Sequence, residues 1–430
     1  MSKLWKKPGQ GPNPAIEKYT VGSDYIFDRE LILFDVRASA AHAKALQKAG
    51  ILTQQELERL ELALRDLEKE FADGKTEIKR EDEDCHTVIE NYLTEKLGDL
   101  GKKIHTGRSR NDQVLVALRL YMKDRLFAIE RGCAELAGRF LDFAEKYQDV
   151  AMPGYSHTQQ AMLGSVGHYF SAYAESLIDD AEFLVAIRKH IDKNPLGSAA
   201  GFGTAIPVDR EETTKELEFA ALQINSLYCQ NSRGKFESAF LEGVVQVMMT
   251  LGKFASDLIL FTSREFDFFH ADDSIVTGSS IMPQKRNLDV LEIMRGNLSV
   301  VVANQLAVKE ISKNLISGYS RDLQLIKKPL FESVDIVLGS LEAAKIVLRG
   351  LSPKKDSIAA KIQPDIYAAD IANTLVLEKG IPFRDAYSEA LTTVAGHTAD
   401  PKKNLASKTV VGSPGNLQID ALRKRAAMHL

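Results

Sequence analysis

Three polar islands interrupt otherwise apolar stretches of this sequence, and their residue types are those that handle carboxylates and protons. The first, Thr106-Gly107-Arg108-Ser109-Arg110-Asn111-Asp112-Gln113, directly precedes the apolar run opening at Val114. Ser109 with Asp112 three residues on is a helix-capping pair, and Arg108 and Arg110 could simply be solvated, so a purely local role is available. Two guanidiniums and an amide at a helix N-terminus also make a carboxylate site, because that end already carries partial positive charge. Residue types alone leave both readings open. The second island, Gly154-Tyr155-Ser156-His157-Thr158-Gln159, lies in Val150 to Ala174, the longest run without Asp, Glu, Lys or Arg. A lone histidine in such a run is usually a satisfied core residue. Ser156, Thr158, Gln159 and Gln160 crowd it with groups that would each need a partner if buried, which favours proton transfer. The third island, Gly278-Ser279-Ser280-Ile281-Met282-Pro283-Gln284-Lys285-Arg286-Asn287, sits between two helical segments. Gly and Pro are ordinary connector residues. Two serines, two cations and an amide overload a passive turn, and a loop that closes over substrate fits better.

Two lesser clusters complete the set. Glu81-Asp82-Glu83-Asp84-Cys85-His86 is explained more cheaply by acids at a helix start and ordinary solvation than by a metal. Tyr319-Ser320-Arg321-Asp322-Leu323-Gln324 with Lys327 is either an exposed helix face or a substrate wall. Phosphate-loop, H-E-x-x-H and dinucleotide signatures are absent, and Gly197 to Gly203 has the wrong spacing for the last of these.

Long helices must position these islands. Segments 112–147, 159–192, 236–268 and 289–316 carry helical periodicity with no internal proline, so the fold is expected to be all-α. A helix of ~33 residues spans about 50 Å, and such helices need long neighbours. Leu57, Leu60, Leu64, Leu67 and Phe71 mark a shorter amphipathic helix, with Thr53 and Glu56 as its capping box and Gly74 as its stop. From Phe240 to Phe261 the apolar residues cover more than one stripe, a pattern that a bundle shared between subunits would bury. Three regions are expected: an N-terminal helical domain over 1–107, a central long-helix bundle over 108–350 and a C-terminal helical domain over 351–430. No role is assigned beyond about Ala395.

At 430 residues with 44% hydrophobic content, the chain can bury a large core. Its 55 Lys and Arg against 59 Asp and Glu leave a formal charge of −4, which gives no general drive toward nucleic acid or acidic membrane. Cys85, Cys133 and Cys229 are too few and too scattered for a disulfide scaffold or zinc site, and Met1 to Pro14 holds no signal-peptide core. A cytoplasmic location is expected. The uncharged run from Val150 carries Pro153, Gly154 and His157 and is expected to be buried protein, not a membrane span.

Gly278 to Asn287 matches the Gly-Ser-Ser-x-Met-Pro-x-Lys-x-Asn signature of the fumarase/aspartase superfamily, and Ser109 to Val114, with Gln284 before Lys285, resembles its argininosuccinate lyase family. The resemblance runs from roughly Glu17 to Tyr387 and includes Pro195 to Ser198, Asp209 to Glu211, Tyr319 to Gln324 and Ile381 to Arg384. It implies an all-α homotetramer around a 20-helix core, with each active site drawn from three subunits and with neither metal nor cofactor. It also implies reversible β-elimination of argininosuccinate to arginine and fumarate, a step of arginine biosynthesis. By the same resemblance Ser279 is the base, Lys285 faces the charge that develops on the substrate, and His157, tuned by Glu292, exchanges a proton at the leaving nitrogen. Ser109, Arg110, Asn111, Ser156, Asn287, Tyr319, Arg321, Gln324 and Lys327 match substrate-binding positions, and Asp28 is expected to hold the amino-acid end. The sequence departs from the pattern at Trp5-Lys6-Lys7-Pro8-Gly9, where the family reads Trp-Gly-Gly-Arg-Phe, and at Ser156, Thr158, Arg286 and Leu288, where Thr, Leu, Lys and Pro are commoner. Alternatives are a superfamily lyase acting on adenylosuccinate, aspartate or malate, against which Ser109 to Gln113 argues, and a non-catalytic structural homologue, against which Ser279, His157, Lys285 and Glu292 argue.

Overall fold

Apolar side chains recurring every three or four residues drive the chain into helix. The computed structural model, which describes residues 13–396 and 399–430, is 68% helical with a few short strands, as an all-α fold requires. The departure at Trp5-Lys6-Lys7-Pro8-Gly9 lies outside the described residues. Five helices of 23 to 37 residues dominate: Arg110–Lys146, Val166–Ile191, Lys235–Phe261, Asp289–Ser312 and Lys327–Arg349. The last was not singled out by periodicity. Its Pro329 sits in the first turn, where no intrahelical N–H bond is lost. The shorter Gln54–Ala72 helix has the expected capping box, with Thr53 Oγ1 accepting from the Glu56 N–H at 3.2 Å and Glu56 Oε2 from the Thr53 N–H at 2.9 Å.

The helix expected from residue 159 begins instead at Val166. Strand Gln159–Ser165 pairs antiparallel with Ala151–Ser156, and the turn between them places His157 at φ 51° and Thr158 at φ 61°. Two left-handed residues in a two-residue loop match the right-handed twist of a hairpin, and the usual Asn-Gly marker of such a turn is missing here. Ser156 to Gln159 are exposed, so this part of the uncharged run is surface and not buried core.

The chain divides into two compact units, each built from three separated stretches. The first comprises Met1–Ala128, Leu184–Val244 and Val301–Asp335. Part of its core is Ala38, Ala41, Val116, Leu120, Leu196, Leu217 and Phe219. Two arginines act as clamps on backbone. The buried Arg119 guanidinium donates to the carbonyls of Ile191 (3.0 Å) and Lys193 (2.9 Å) and lies 4.1 Å over the Phe236 ring. Arg210 donates to the carbonyls of Leu196, Gln223 and Ile224, and lies so close to Gly197 that a Cβ there would stand 2.8 Å from its side chain.

The second unit comprises Ile129–Phe183, Val245–Val300 and Ile336–Leu430. Phe140, Phe143, Phe170, Tyr173 and Phe254 interlock in it through tilted, stacked and edge contacts at 4.4–6.1 Å. Its C-terminal helix Ile419–Ala427 is fastened by ion pairs, Arg423 to Asp142 and Glu145, and Arg425 to Glu175, Asp179 and Glu182. The helical stretch Ser226–Phe261 has the length and apolarity to cross a membrane, yet 61% of its most apolar window is buried in the fold, as for a core helix.

Gly167 shows how closely these helices pack, since a Cβ there would stand 2.5 Å from Gln148 Cα and 2.7 Å from the Ala144 carbonyl oxygen. Helix propensity alone favours alanine, but the overlap must win because backbone cannot move aside as a side-chain tip can. Gly167→Ala is therefore expected to destabilise the protein by about 1–3 kcal/mol in chemical denaturation; an unchanged or raised midpoint would contradict this packing.

Candidate active site

Lys327 opens its helix with 1% of its side chain exposed, and an ammonium so placed must be paired. Its Nζ donates to Asp28 Oδ1 at 2.6 Å and lies 3.7 Å from Asp24 Oδ1. Burial alone would lower the Lys327 amine, but Asp28 and Asp24 outweigh it and hold the amine above its ordinary value. The other oxygen of Asp28 accepts the Cys85 N–H at 3.2 Å, at the start of the Cys85–Leu97 helix. Both Asp28 oxygens are thus engaged inside the protein. The carboxyl of Asp24, pushed up by burial against the pull of Lys327, stands beside them.

The same unit gathers most of the expected binding positions. Arg110, first residue of its long helix, donates to Asp84 Oδ2 and to Thr87 Oγ1 at 2.9 Å, while Asp84 caps the Cys85–Leu97 helix through the Thr87 N–H. Ser109 and Asp112 form the local capping pair, Ser109 N–H donating to Asp112 Oδ1 at 2.9 Å and Ser109 Oγ accepting the Asn111 N–H at 3.2 Å. The second oxygen of Asp112 accepts the N–H groups of Gly197 and Ala199, which ties the first island to the Gly197 loop. Half-buried Asn111 follows on the same turn. Arg321 donates to the Thr20 carbonyl and to Glu83 Oε1 at 2.8 Å. Gln324 Oε1 accepts from Arg233 at 3.0 Å, and the Arg233 guanidinium lies 5.9 Å from the Tyr319 ring centroid. Neither Arg233 nor Asp24 stood out in the sequence.

Two solvation readings are corrected here. Arg108 is buried, donating to Ser39 Oγ at 2.9 Å and pairing with Asp35 at 3.5 Å. Glu83, Asp84, Cys85 and His86 are buried as well, because their partners arrive from distant positions. His86 Nδ1 lies 2.6 Å from Asp35 Oδ2. Asp28, Cys85 and His86 present ligand-type atoms within 4.8 Å of one another. Asp28 is already neutralised by Lys327, His86 is bound to Asp35, and burial with three nearby carboxylates pushes the Cys85 thiol far up. This is an internal charge network and a poor host for a cation.

In the second unit, the third island forms a loop closed by paired backbone bonds between Thr277 and Asn287, each 2.9 Å. Asn287 Nδ2 donates across it to the Gly278 carbonyl, and Thr277 Oγ1 donates to Asp289. Ser279 Oγ accepts the N–H groups of Met282 (3.2 Å) and Ile281 (3.4 Å), a pair of donors that favours negative charge on that oxygen. Lys285 N–H returns to the Met282 carbonyl at 3.0 Å. A cavity of about 640 Å³ is lined by Lys285, Asn287, Glu292, His270, Arg264 and other residues. Ile281 at the loop tip is 82% exposed. The same unit holds exposed Ser156 and His157 on the hairpin. That hairpin is fixed by Tyr155 against Phe261, Phe266 and Phe268 and by Gln160, whose amide donates to the Lys361 carbonyl at 2.7 Å and accepts the Gln363 N–H at 3.1 Å. Among the described residues of this one chain, no hydrogen bond joins His157 to Glu292, which stands exposed on the first turn of Asp289–Ser312.

Burial would lower the His86 imidazolium, but Asp35, Asp84 and Asp28 hold it above its ordinary value. A raised native value means that the charged imidazole stabilises the fold fully below about pH 6.5 and loses that contribution as pH rises through the native value. The stability advantage of the protein over His86→Gln should therefore be largest near pH 6 and shrink toward about pH 9 in urea titrations; an advantage that grew with pH would refute the pairing.

Comparison with known proteins supplies the kinship. A family model described as a lyase matches residues 14–303. An argininosuccinate lyase of Thermotoga neapolitana is 45% identical over 385 residues, 90% of this chain and 96% of that protein. One from Stenotrophomonas maltophilia is 43% identical over 424 residues, 98% of each. Among solved structures, an EDDS lyase in complex with formate shares the fold at TM-score 0.79 and 21% identity, covering 98% of this chain and 90% of its own. A fumarate lyase:delta crystallin from Brucella melitensis does so at TM-score 0.72 and 19% identity, covering 94% and 92%. Likeness at that identity speaks for the fold alone, whereas near-full-length identity above 40% fixes the kinship: the chain belongs to the argininosuccinate lyase family of the fumarase/aspartase superfamily.

Proposed function

We propose that the protein catalyses the reversible β-elimination of argininosuccinate to arginine and fumarate, a step of arginine biosynthesis. The near-full-length likeness to argininosuccinate lyases carries this reading. The chemistry requires a base for a weakly acidic proton on the succinyl Cβ. It also requires a cation where the adjacent carboxylate gathers charge and a proton donor for the nitrogen that leaves.

Ser279 is the base. A free hydroxyl is a poor one, and the Ile281 and Met282 N–H groups at its oxygen support the alkoxide it must become. The alkoxide takes the Cβ proton, and the electron pair builds an aci-carboxylate steadied by the Lys285 ammonium. The pair then forms the Cα–Cβ double bond as the bond from Cα to the guanidinium nitrogen breaks. His157 returns a proton to that nitrogen, with Glu292 as its partner, and arginine and fumarate result. Arg110, Asn111, Ser109, Tyr319, Arg321, Gln324 and Lys327, with Ser156 and Asn287, orient the substrate before reaction.

The working form is a homotetramer whose sites are completed by neighbouring subunits. Ile293, Val300, Val302 and Leu306 along Asp289–Ser312, with Met249 and Leu260 on Lys235–Phe261, expose apolar surface that copies of the chain would cover. Three free, buried cysteines suit a cytoplasmic setting.

The purified protein should release fumarate from argininosuccinate, followed by ultraviolet absorbance; a folded protein that releases none would reject the function. Ser279→Ala and His157→Ala should each lower kcat by ~10²-fold or more with the oligomer intact by sedimentation. Near-normal turnover of either variant would remove that residue from its role.

A further inference from the structure

The stretch from Ala399 to Leu430 holds none of the polar islands, yet it packs against the base of the hairpin that carries His157. Leu405, on the short helix Pro401–Ser407, shares an apolar cluster with Leu163 of the hairpin and with Ile366 and Tyr367, and Ala151 and Ala399 pack against it. Lys408 follows that helix. Its Nζ donates to the Leu163 carbonyl at 2.6 Å and lies 3.2 Å from Asp370 Oδ2, which also accepts from the Asn404 amide at 2.9 Å. The Lys408 and Asp370 side chains are only 15% and 17% exposed.

The hairpin is a sheet of two strands, so outward carbonyls of Gln159–Ser165 have no third strand to meet. Lys408 takes that role at Leu163, opposite Pro153 and six residues from His157. Its own backbone is fixed in turn, the N–H donating to the Leu405 carbonyl and the carbonyl accepting the Gly415 N–H, each at 3.1 Å. Further on, the C-terminal helix bridges the two long helices that flank the hairpin. Arg423 pairs with Asp142 and Glu145 before it, and Arg425 with Glu175, Asp179 and Glu182 after it. The His429 imidazole, 8% exposed, lies 2.9 Å from Glu130. A charged pair as sheltered as Lys408 with Asp370 adds little net stability over packed apolar groups; its directional bonds fix where the acceptor lies.

We infer that the chain from Pro401 to Leu430 is a strap that positions the His157 hairpin, with Lys408 as the positioning residue through which it acts. The inference rests on the proposed lyase reading, in which the His157 imidazole must meet the departing nitrogen.

Lys408→Met should lower kcat for argininosuccinate cleavage by ~10-fold while KM stays within about twofold, because the proton donor drifts and the substrate contacts remain. Lys408→Arg, which keeps a charged donor, should recover most of the loss. Placed in His157→Ala, Lys408→Met should lower kcat by less than about twofold further, since an absent imidazole cannot be misplaced. An equal loss in both backgrounds, or wild-type kcat in Lys408→Met, would overturn the assignment. Where Lys408→Met does not fold, Asp370→Asn takes its place and should show the same loss of kcat that disappears in His157→Ala. Hydrogen exchange separates the strap from the lyase reading. In Lys408→Met, amides of residues 151–165 should exchange at least ~5-fold faster while those of Lys235–Phe261 do not change. Unchanged exchange over 151–165 would overturn the strap. A wild type that releases no fumarate would defeat the lyase reading, and the exchange comparison would still decide whether Lys408 holds the hairpin.

Discussion

The ammonium of Lys327, sealed from water between Asp28 and Asp24, is the interaction on which the first unit's site depends. An isolated buried charge is unsustainable, so each group in the chain of contacts must recruit another of opposite sign. Asp28 meets Lys327 and the first N–H of the Cys85–Leu97 helix. Asp84 caps that helix and holds Arg110, Glu83 holds Arg321, and Asp35 holds His86 and Arg108. Four carboxylates thereby position five cationic groups contributed by three separate stretches of sequence. Pairs like these add little net stability over well-packed apolar groups, but breaking one strands its partner, which fixes the arrangement.

That network also marks where the sequence could be read and where it could not. The long helices were legible because the periodicity that buries them is local, and the Thr53–Glu56 box because all its atoms lie within one turn. The 278–287 loop was legible from composition: so many polar groups in a connector need a use. Glu83 to His86 looked solvated, and Arg108 was open to the same reading, because nothing local could neutralise them; the compensating groups sit 26 to 238 positions away. Arg233 was invisible for the same reason, as a single arginine beside Gly234 carries no spacing signal. Asp28 was expected to meet substrate; that one of its oxygens also meets Lys327 and the other the Cys85 N–H is visible only in coordinates.

The base proposed on the 278–287 loop draws its support from backbone and not from a neighbouring side chain. The chain from Ser279 to Met282 turns so that two N–H groups meet Ser279 Oγ, and the Thr277–Asn287 pair closes the loop behind them. Donors fixed by backbone need no reorganisation as charge grows on the oxygen, which is the condition for electrostatic stabilisation to lower a barrier. Lys285, six residues from Ser279 in the same closed loop, is committed through its backbone N–H alone, leaving its ammonium to the cavity that it lines.

The hairpin that carries His157 extends the argument to backbone strain. Thr158 is β-branched, and at φ 61° it occupies a region that such residues avoid, at a cost on the order of 1–3 kcal/mol. Glycine or asparagine would relieve it. The turn survives because its flanks are over-determined: Ser156 pairs with Gln159, Tyr155 is wedged among three phenylalanines, and Gln160 grips the backbone at Lys361 and Gln363. The Thr158 hydroxyl closes the turn by donating to the His157 carbonyl at 2.6 Å. A loop at ease would let the imidazole wander through many orientations. A strained turn held from both sides fixes the backbone that carries it, a restriction that the proposed proton transfer to a departing nitrogen would use.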